Sequence, residues 1–306
     1  MKRRDFFLKS AGAGLGVGAL AGMGGLRPLM GSPLPADTVD MAAVRGGEPD
    51  VMFDRAMAAM GGMGRFVKKG QKVVIKPNIG WDVPPERAAN TNPLLVKRIV
   101  EHCFRAGARE VLVFDNTCDA WTKCYRTSGI EKYVKEAGGK VVPGNTEGYY
   151  QEVEIPTGKK LKSAKVHELY LDADVIIDVP VLKHHSSSKL TIAMKNLMGV
   201  VWDRRYWHRN DLNQCIADFA TFRRRPDLVV VDAYNVMMKH GPRGVSANDV
   251  VNMKAQIVTT DMVAADAAAA KLFGVDPATI RYIRLADEMG AGTMDLTRLN
   301  IRRIKI

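Results

Sequence analysis

The fold is decided between residues 71 and 114, where Q-K-V-V-I-K (71–76) and E-V-L-V-F (110–114) flank the run N-P-L-L-V-K-R-I-V-E-H-C-F-R-A-G (92–107). The flanking runs are short, apolar and β-branched, which predicts two buried strands, the first ended by Pro77 because proline cannot extend a ladder. Between them, residues 94–106 carry apolar side chains at helical spacing. Asn92 is placed to cap that helix, Pro93 suits its first position, and Gly107 stops it.

Moving outward, the alternation continues. A helix is expected over 129–137, a strand over 140–142, and a hairpin across 153–161 turning at Thr157 and Gly158. Residues 174–179 and 227–231 are two further β-branched runs, with helices expected over 191–201 and 211–222. A strand over 255–259 leads into an Ala-rich helix over 262–273, closed by Gly274. Strands alternating with helices imply an α/β fold: a layered, largely parallel sheet flanked by helices, with residues 37–306 forming a single main domain. No internal repeat is present.

The N-terminus reads differently. Lys2, Arg3, Arg4, Asp5, Phe6, Phe7, Leu8 and Lys9 resemble the twin-arginine export signal, and residues 11–26 are uncharged, Gly-rich and weakly apolar, like a signal core. We therefore expect residues 1–36 to be a signal peptide cleaved after Ala36, the export machinery to be a partner, and the periplasm to be the destination. The alternative is an uncleaved anchor or a chance basic end on a cytoplasmic protein.

The chain carries 45 Lys+Arg against 33 Asp+Glu, a net charge of +12, and only five of those basic residues lie within 1–36. The remaining basic residues are dispersed and not interleaved with aromatics, unlike a single-strand binding surface, so nucleic acid is not an expected partner. The excess favours an anionic small ligand or surface, with plain solubility as the competing explanation. Of the four cysteines, Cys103, Cys118, Cys124 and Cys215, none forms a C-x-x-C pair or a cluster-binding run. Cys103 reads as a buried small hydrophobe, and Cys118 with Cys124 as a disulfide or two free thiols.

Ligands of such sheets bind beyond the carboxyl ends of the strands. Lys76, Asn78, Asp115, Asn116, Asp232 and Asp261 all fall just after predicted strands, although turn and cap roles are the commoner fate of Asp and Asn there. The densest constellation is V-L-K-H-H-S-S-S-K-L-T-I-A-M-K-N-L-M-G (181–199), which reads as an anion cradle. Lys183, Lys189, Lys195 and Asn196 join Lys76, Asn78 and Asp115 as candidate ligand-binding residues, with Thr191 and Lys195 on one helix face.

His184 and His208 are candidates for proton transfer, with Asp232 or Asp178 to orient His184. Adjacent His184 and His185 point apart on an extended chain, so at most one faces the site. The chain has no G-x-S-x-G turn, no dinucleotide fingerprint and no P-loop. No metal site is assigned; Asp115, Asp232, Asp261 and Asp266 are acidic enough to hold a cation beside an anion.

These segments together resemble the family catalogued as domain of unknown function 362. The resemblance rests on I-K-P-N-I (75–79), T-N-P (91–93), A-G-A (106–108) followed by V-L-V-F-D (111–115), V-P-V-L-K-H-H (179–185), T-I-A-M-K-N-L-M-G (191–199), V-D-A (231–233), G-P-R-G (241–244) and D-M-V-A-A-D-A (261–267). It implies a single α/β domain. Some relatives join it to iron–sulfur ferredoxin-like modules; this chain has no such module, and the resemblance names no reaction. Two function classes follow. One is an enzyme acting on a small carboxylate or phosphate. The other is a cofactor-carrying or redox-accessory binding protein with a redox partner, its cofactor unspecified, loaded before export.

Overall fold

The computed structural model describes residues 38–306, so the signal reading falls outside the described residues. The expected strand–helix–strand unit is present as β2 (Lys72–Pro77), a helix at Pro93–Arg105 and β3 (Glu110–Val113). β1 (Met41–Arg45) and helix α1 (Pro49–Ala59) precede it, so the crossover helix is α2. Asn92 accepts the Leu94 N–H at 3.0 Å and Pro93 occupies the first turn, which starts the helix where the sequence indicated.

The chain continues through α3 (Trp121–Thr127), α4 (Ile130–Glu136), β4 (Lys140–Val141), β5 (Tyr150–Glu154), β6 (Ser163–His167) and α5 (Glu168–Asp172). Next come β7 (Val175–Val179), β8 (Val181–His185), β9 (Lys189–Thr191), α6 (Ala193–Asn196), α7 (Arg204–Arg209) and α8 (Leu212–Ala220). The last elements are β10 (Leu228–Met237), β11 (Val250–Thr259), α9 (Met262–Phe273), α10 (Arg281–Glu288) and β12 (Ile301–Lys305).

One main sheet runs β12-β1-β11-β10-β7-β2-β3-β4, with β8 beside β10 and β9 beside β8. The run from β10 to β4 is parallel, while β11 is antiparallel to both β10 and β1. The sheet is thus mixed and mostly parallel. Alternation divides the central strands between two layers. Val73, Ile75, Val175 and Ile177 face α1, α2 and α4, whereas Val74 and Ile176 face the layer of α6, α8, α9 and α10.

Several boundaries differ from expectation. The hairpin is wider than 153–161, its strands being β5 and β6, with Thr157 and Gly158 in their connection as expected. The helix expected over 191–201 begins only at Ala193 and tightens to a 3-10 turn at Leu197–Val200, because Thr191 pairs with Lys183 in a short antiparallel ladder. Neither β1 nor β12 was anticipated: M-A-A-V-R and I-R-R-I-K lack a β-branched run, and they are held by pairing, β12 with β1 and β1 with β11.

Candidate functional site

The site begins at the carboxyl end of β2. Lys76 and Asp178 are cross-strand neighbours in the parallel β2/β7 ladder, both on the face covered by α6. Full burial there demands partners. The Lys76 ammonium pairs with Asp115 at 3.0 Å and donates to Pro77 O at 2.7 Å and to Asn196 Oδ1 at 3.1 Å. The Asn196 amide is completely used: Oδ1 also accepts from Asn78 Nδ2 at 3.0 Å, and Nδ2 donates to Lys76 O at 3.0 Å and to Asp178 Oδ1 at 2.7 Å.

Burial raises the Asp178 carboxyl to about 7, against the pull of the nearby Lys76 charge. Asp115 is raised for the same reason, Lys76 and the Ile79 N–H opposing the shift. Gly199 closes this cluster from above. A Cβ there would lie 1.8 Å from Asp115 Oδ1 and 2.5 Å from Lys76 Cε, so only glycine permits the approach.

Above the cluster opens a cavity of about 480 Å³, lined among others by Asn78, Cys118, Lys183, His185, Thr191, Lys195, Arg204 and His208. Lys183 donates to Asn78 Oδ1 at 3.0 Å and to the Ala89 carbonyl. Lys195 has a weaker partner, the Met198 thioether at 3.1 Å, although it is only 8% exposed. Neither ammonium has a carboxylate within ion-pair distance among the described residues. Burial lowers Lys183 to about 7 and Lys195 to about 8. The Thr191 hydroxyl is buried without a hydrogen-bond partner among the described residues.

Asp266, reaching from α9, holds the short helix that carries Lys195. It accepts the Ala193 N–H at 2.7 Å and the Met194 N–H at 3.3 Å, the cap that so short a helix cannot supply itself. The two histidines of the cavity differ. His185 is pushed down to about 2 by burial and by Lys195 and Lys183, and its Nδ1 accepts from Ser187 N at 3.1 Å, which leaves its ring proton on Nε2. His208 is exposed on α7 and lowered by partial burial and by Lys195, its ring 6.5 Å from that of His185.

Of the residues expected from sequence, Asn78, Asp115, Lys183, Lys195, Asn196 and His208 line this cavity, with Lys76 beneath them. Four others lie elsewhere. Lys183 and His185 sit two apart on β8 and share a side, so His184 points away, and its Nδ1 accepts from Gly241 N at 3.1 Å. Lys189 reaches the Thr279 carbonyl at 2.9 Å. Asp232 accepts the N–H groups of Asn92 at 2.7 Å and Tyr234 at 3.0 Å, a backbone-holding arrangement with no bond to His184. Asp261 caps α9 through Val263 and Ala264.

Sequence reading missed His185, Arg204 and Cys118. The two-residue spacing from Lys183 was a usable signal for His185; Arg204 had none, since it arrives from α7 to bind the Asn116 and Thr117 carbonyls, each at 2.8 Å. Cys118 and Cys124 are both free thiols, the first exposed and the second buried. Among the described residues no group of three or more His, Cys, Asp or Glu is arranged to hold a metal ion.

A larger cleft of about 800 Å³ lies between the β5–β6 hairpin and α7 and shares Arg204 and Arg205 with the cavity. Its lysines are of another kind, for Lys165 is paired with Glu147 at the surface. Buried charge without a counter-charge singles out the smaller cavity.

The chain resembles a thylakoid-associated protein of Synechocystis sp., at 24% identity over 239 residues, 76% of this chain and 72% of that protein. Two solved structures are similar over part of their length. They are the lactate racemase apoprotein of Thermoanaerobacterium thermosaccharolyticum (12% identity, TM-score 0.45, 73% of this chain) and a protein from Thermotoga maritima (10% identity, TM-score 0.46, 79% of this chain). The chain spans 55% and 60% of those two proteins respectively. The family model described as "Domain of unknown function (DUF362)" matches residues 73–271, from β2 into α9 and across every residue of the cavity, and the chain belongs to that family.

Proposed function

We propose that this protein binds a small carboxylate- or phosphate-bearing ligand in the cavity beyond β2, β7 and β8, and acts on it by proton transfer. One observation carries the reading: Lys183 and Lys195 are buried side by side on one cavity without a carboxylate partner, and burial drives both toward neutrality. A ligand anion supplies the missing counter-charge and restores both ammoniums.

The surrounding donors suit the same ligand. Thr191 offers an unpartnered hydroxyl, and His185 an Nε2–H that stays neutral, while Arg204 adds a fixed positive charge. His208, exposed at the mouth, exchanges protons with solvent and is suited to move one to or from the ligand. The Lys76–Asp115–Asn196 cluster is the scaffold under these groups.

The test is a thermal-shift screen of the full chain with phosphate, acetate, malonate and oxalate. At least one anion is expected to raise the unfolding temperature, and Lys183→Met and Lys195→Met are expected to abolish the rise. An anion response that survives in both variants, or none in the parent protein, rejects the reading.

A further inference from the structure

Cys118 brings a thiol to the lining of this cavity. Its backbone N–H donates to Gly80 O at 2.8 Å, tying the loop after β3 to the loop after β2, and Arg204 Nη1 donates to its Sγ at 3.5 Å. It is exposed, while Cys103, Cys124 and Cys215 are buried. Burial lowers Lys183 and Lys195, and in both cases the foremost opposing influence is the sulfur of Cys118, which puts it within electrostatic reach of the two ammoniums. Thiols in accessible, electropositive settings are the reactive ones.

A thiol alone marks nothing; independent groups on the same cavity point to a ligand beside it. Lys195 is more than nine-tenths buried with only a thioether for a partner, and Thr191, 4% exposed, keeps a hydroxyl with none. Both line the cavity that Cys118 lines. These are donors placed for oxygen atoms that the protein itself does not provide.

We propose that Cys118 is the nucleophile of this site, adding to the carbonyl carbon of a small carbonyl compound whose carboxylate or phosphate is held by Lys183 and Lys195. The assignment rests on the anion-binding reading above. In the addition a sulfur electron pair forms the C–S bond, the carbonyl π pair moves onto oxygen, and the thiol proton reaches that oxygen through His208 or water. The product is a hemithioacetal or its ketone equivalent. Nothing leaves and no oxidant is consumed, so the step reverses by the same path. Lys195 and Thr191 receive the oxygen as its charge develops.

The experiment compares alkylation of the native full chain by iodoacetate and by neutral iodoacetamide, followed by intact-mass and peptide mass spectrometry, with Cys118→Ser as the control. Cys118 should be the residue modified. Its iodoacetate-to-iodoacetamide rate ratio should exceed that of the same cysteine in the denatured chain by about ten-fold, falling back in Lys183→Met and Lys195→Met. Glyoxylate should slow the iodoacetamide reaction reversibly, and more than acetate at the same concentration. A Cys118 no more reactive than in the denatured chain toward either reagent overturns the nucleophile while leaving the anion site standing. Fast reaction without charge preference overturns the anion reading and the proposal with it. Equal slowing by glyoxylate and acetate overturns the carbonyl addition.

Discussion

Lys76 and Asp115 lie 3.0 Å apart with side chains 0% and 4% exposed, whereas Lys195, on the other side of the same cluster, has only the sulfur of Met198 at 3.1 Å. Two buried lysines within one site therefore stand in opposite surroundings. Lys76 is neutralised by the protein and belongs to the framework; Lys195 has no carboxylate partner among the described residues, and on the proposed reading a ligand supplies one.

That contrast fixes a pair of mutational outcomes. Lys76→Met leaves Asp115 buried without its counter-charge and should lower stability by roughly 3–5 kcal/mol in urea unfolding. Lys195→Met removes a charge that folding has to desolvate, so its urea midpoint should equal or exceed that of the parent while the response to anions is lost. A Lys195 variant as destabilised as the Lys76 variant would show that both lysines serve the framework.

The pH dependence follows from the same groups. Lys183 falls from 10.5 to about 7 in the folded chain and Lys195 to about 8, so between those values and 10.5 the unfolded chain holds protons that the folded chain has released. Their contribution to stability is complete above 10.5 and is lost as pH falls through about 8 and then 7. Asp178 runs the other way: raised from 3.8 to about 7, it contributes below 3.8 and loses that contribution as pH rises through 7. An anion that restores the ammoniums must therefore bring protons with it. Calorimetric titration at pH 8.5 in two buffers of different ionisation enthalpy should show proton uptake on binding; zero uptake or release contradicts the lysine assignment.

Gly199 gives a steric prediction. Its Cβ position is 1.8 Å from Asp115 Oδ1, whereas a Cβ on Gly148 meets nothing within 4 Å. Gly199→Ala should cost about 1–3 kcal/mol by forcing the Lys76–Asp115 pair apart, and it should weaken the anion response. Gly148→Ala should be close to neutral in both measurements. Equal behaviour of the two variants in urea unfolding would remove Gly199 from its place against the pair.

The parallel core was legible because its signals are local. The β-branched runs that became β2, β3 and β7, the Asn92 cap with Pro93, and Gly274 after α9 each carry their own stereochemistry, and the structure holds them within a residue or two of their expected ends. The lysines and Asn196 were legible as a group for a related reason: polar residues just past apolar strands collect at one edge of such a sheet. The strands that close the sheet, β1 and β12, were not, because Met41 finds Ile301 and Thr259 only across most of the chain's length.

Within the site the division is finer. Residue types and spacing were enough to bring Lys183, Lys195 and Asn196 together, and the structure places all three on one cavity, since a polar run that leaves a strand and enters a helix stays at one edge of the sheet. Which lysine would be neutralised, which histidine would face inward and which cysteine would be exposed depended on contacts no local pattern encodes. Asp115 arrives from the loop after β3, 36 residues after Ile79, Arg204 from a helix 86 residues after Cys118, and Asp266 from a helix 73 residues after Ala193. Charge pairing and burial act through space, so the chemistry of each group was settled only when folding chose its neighbours.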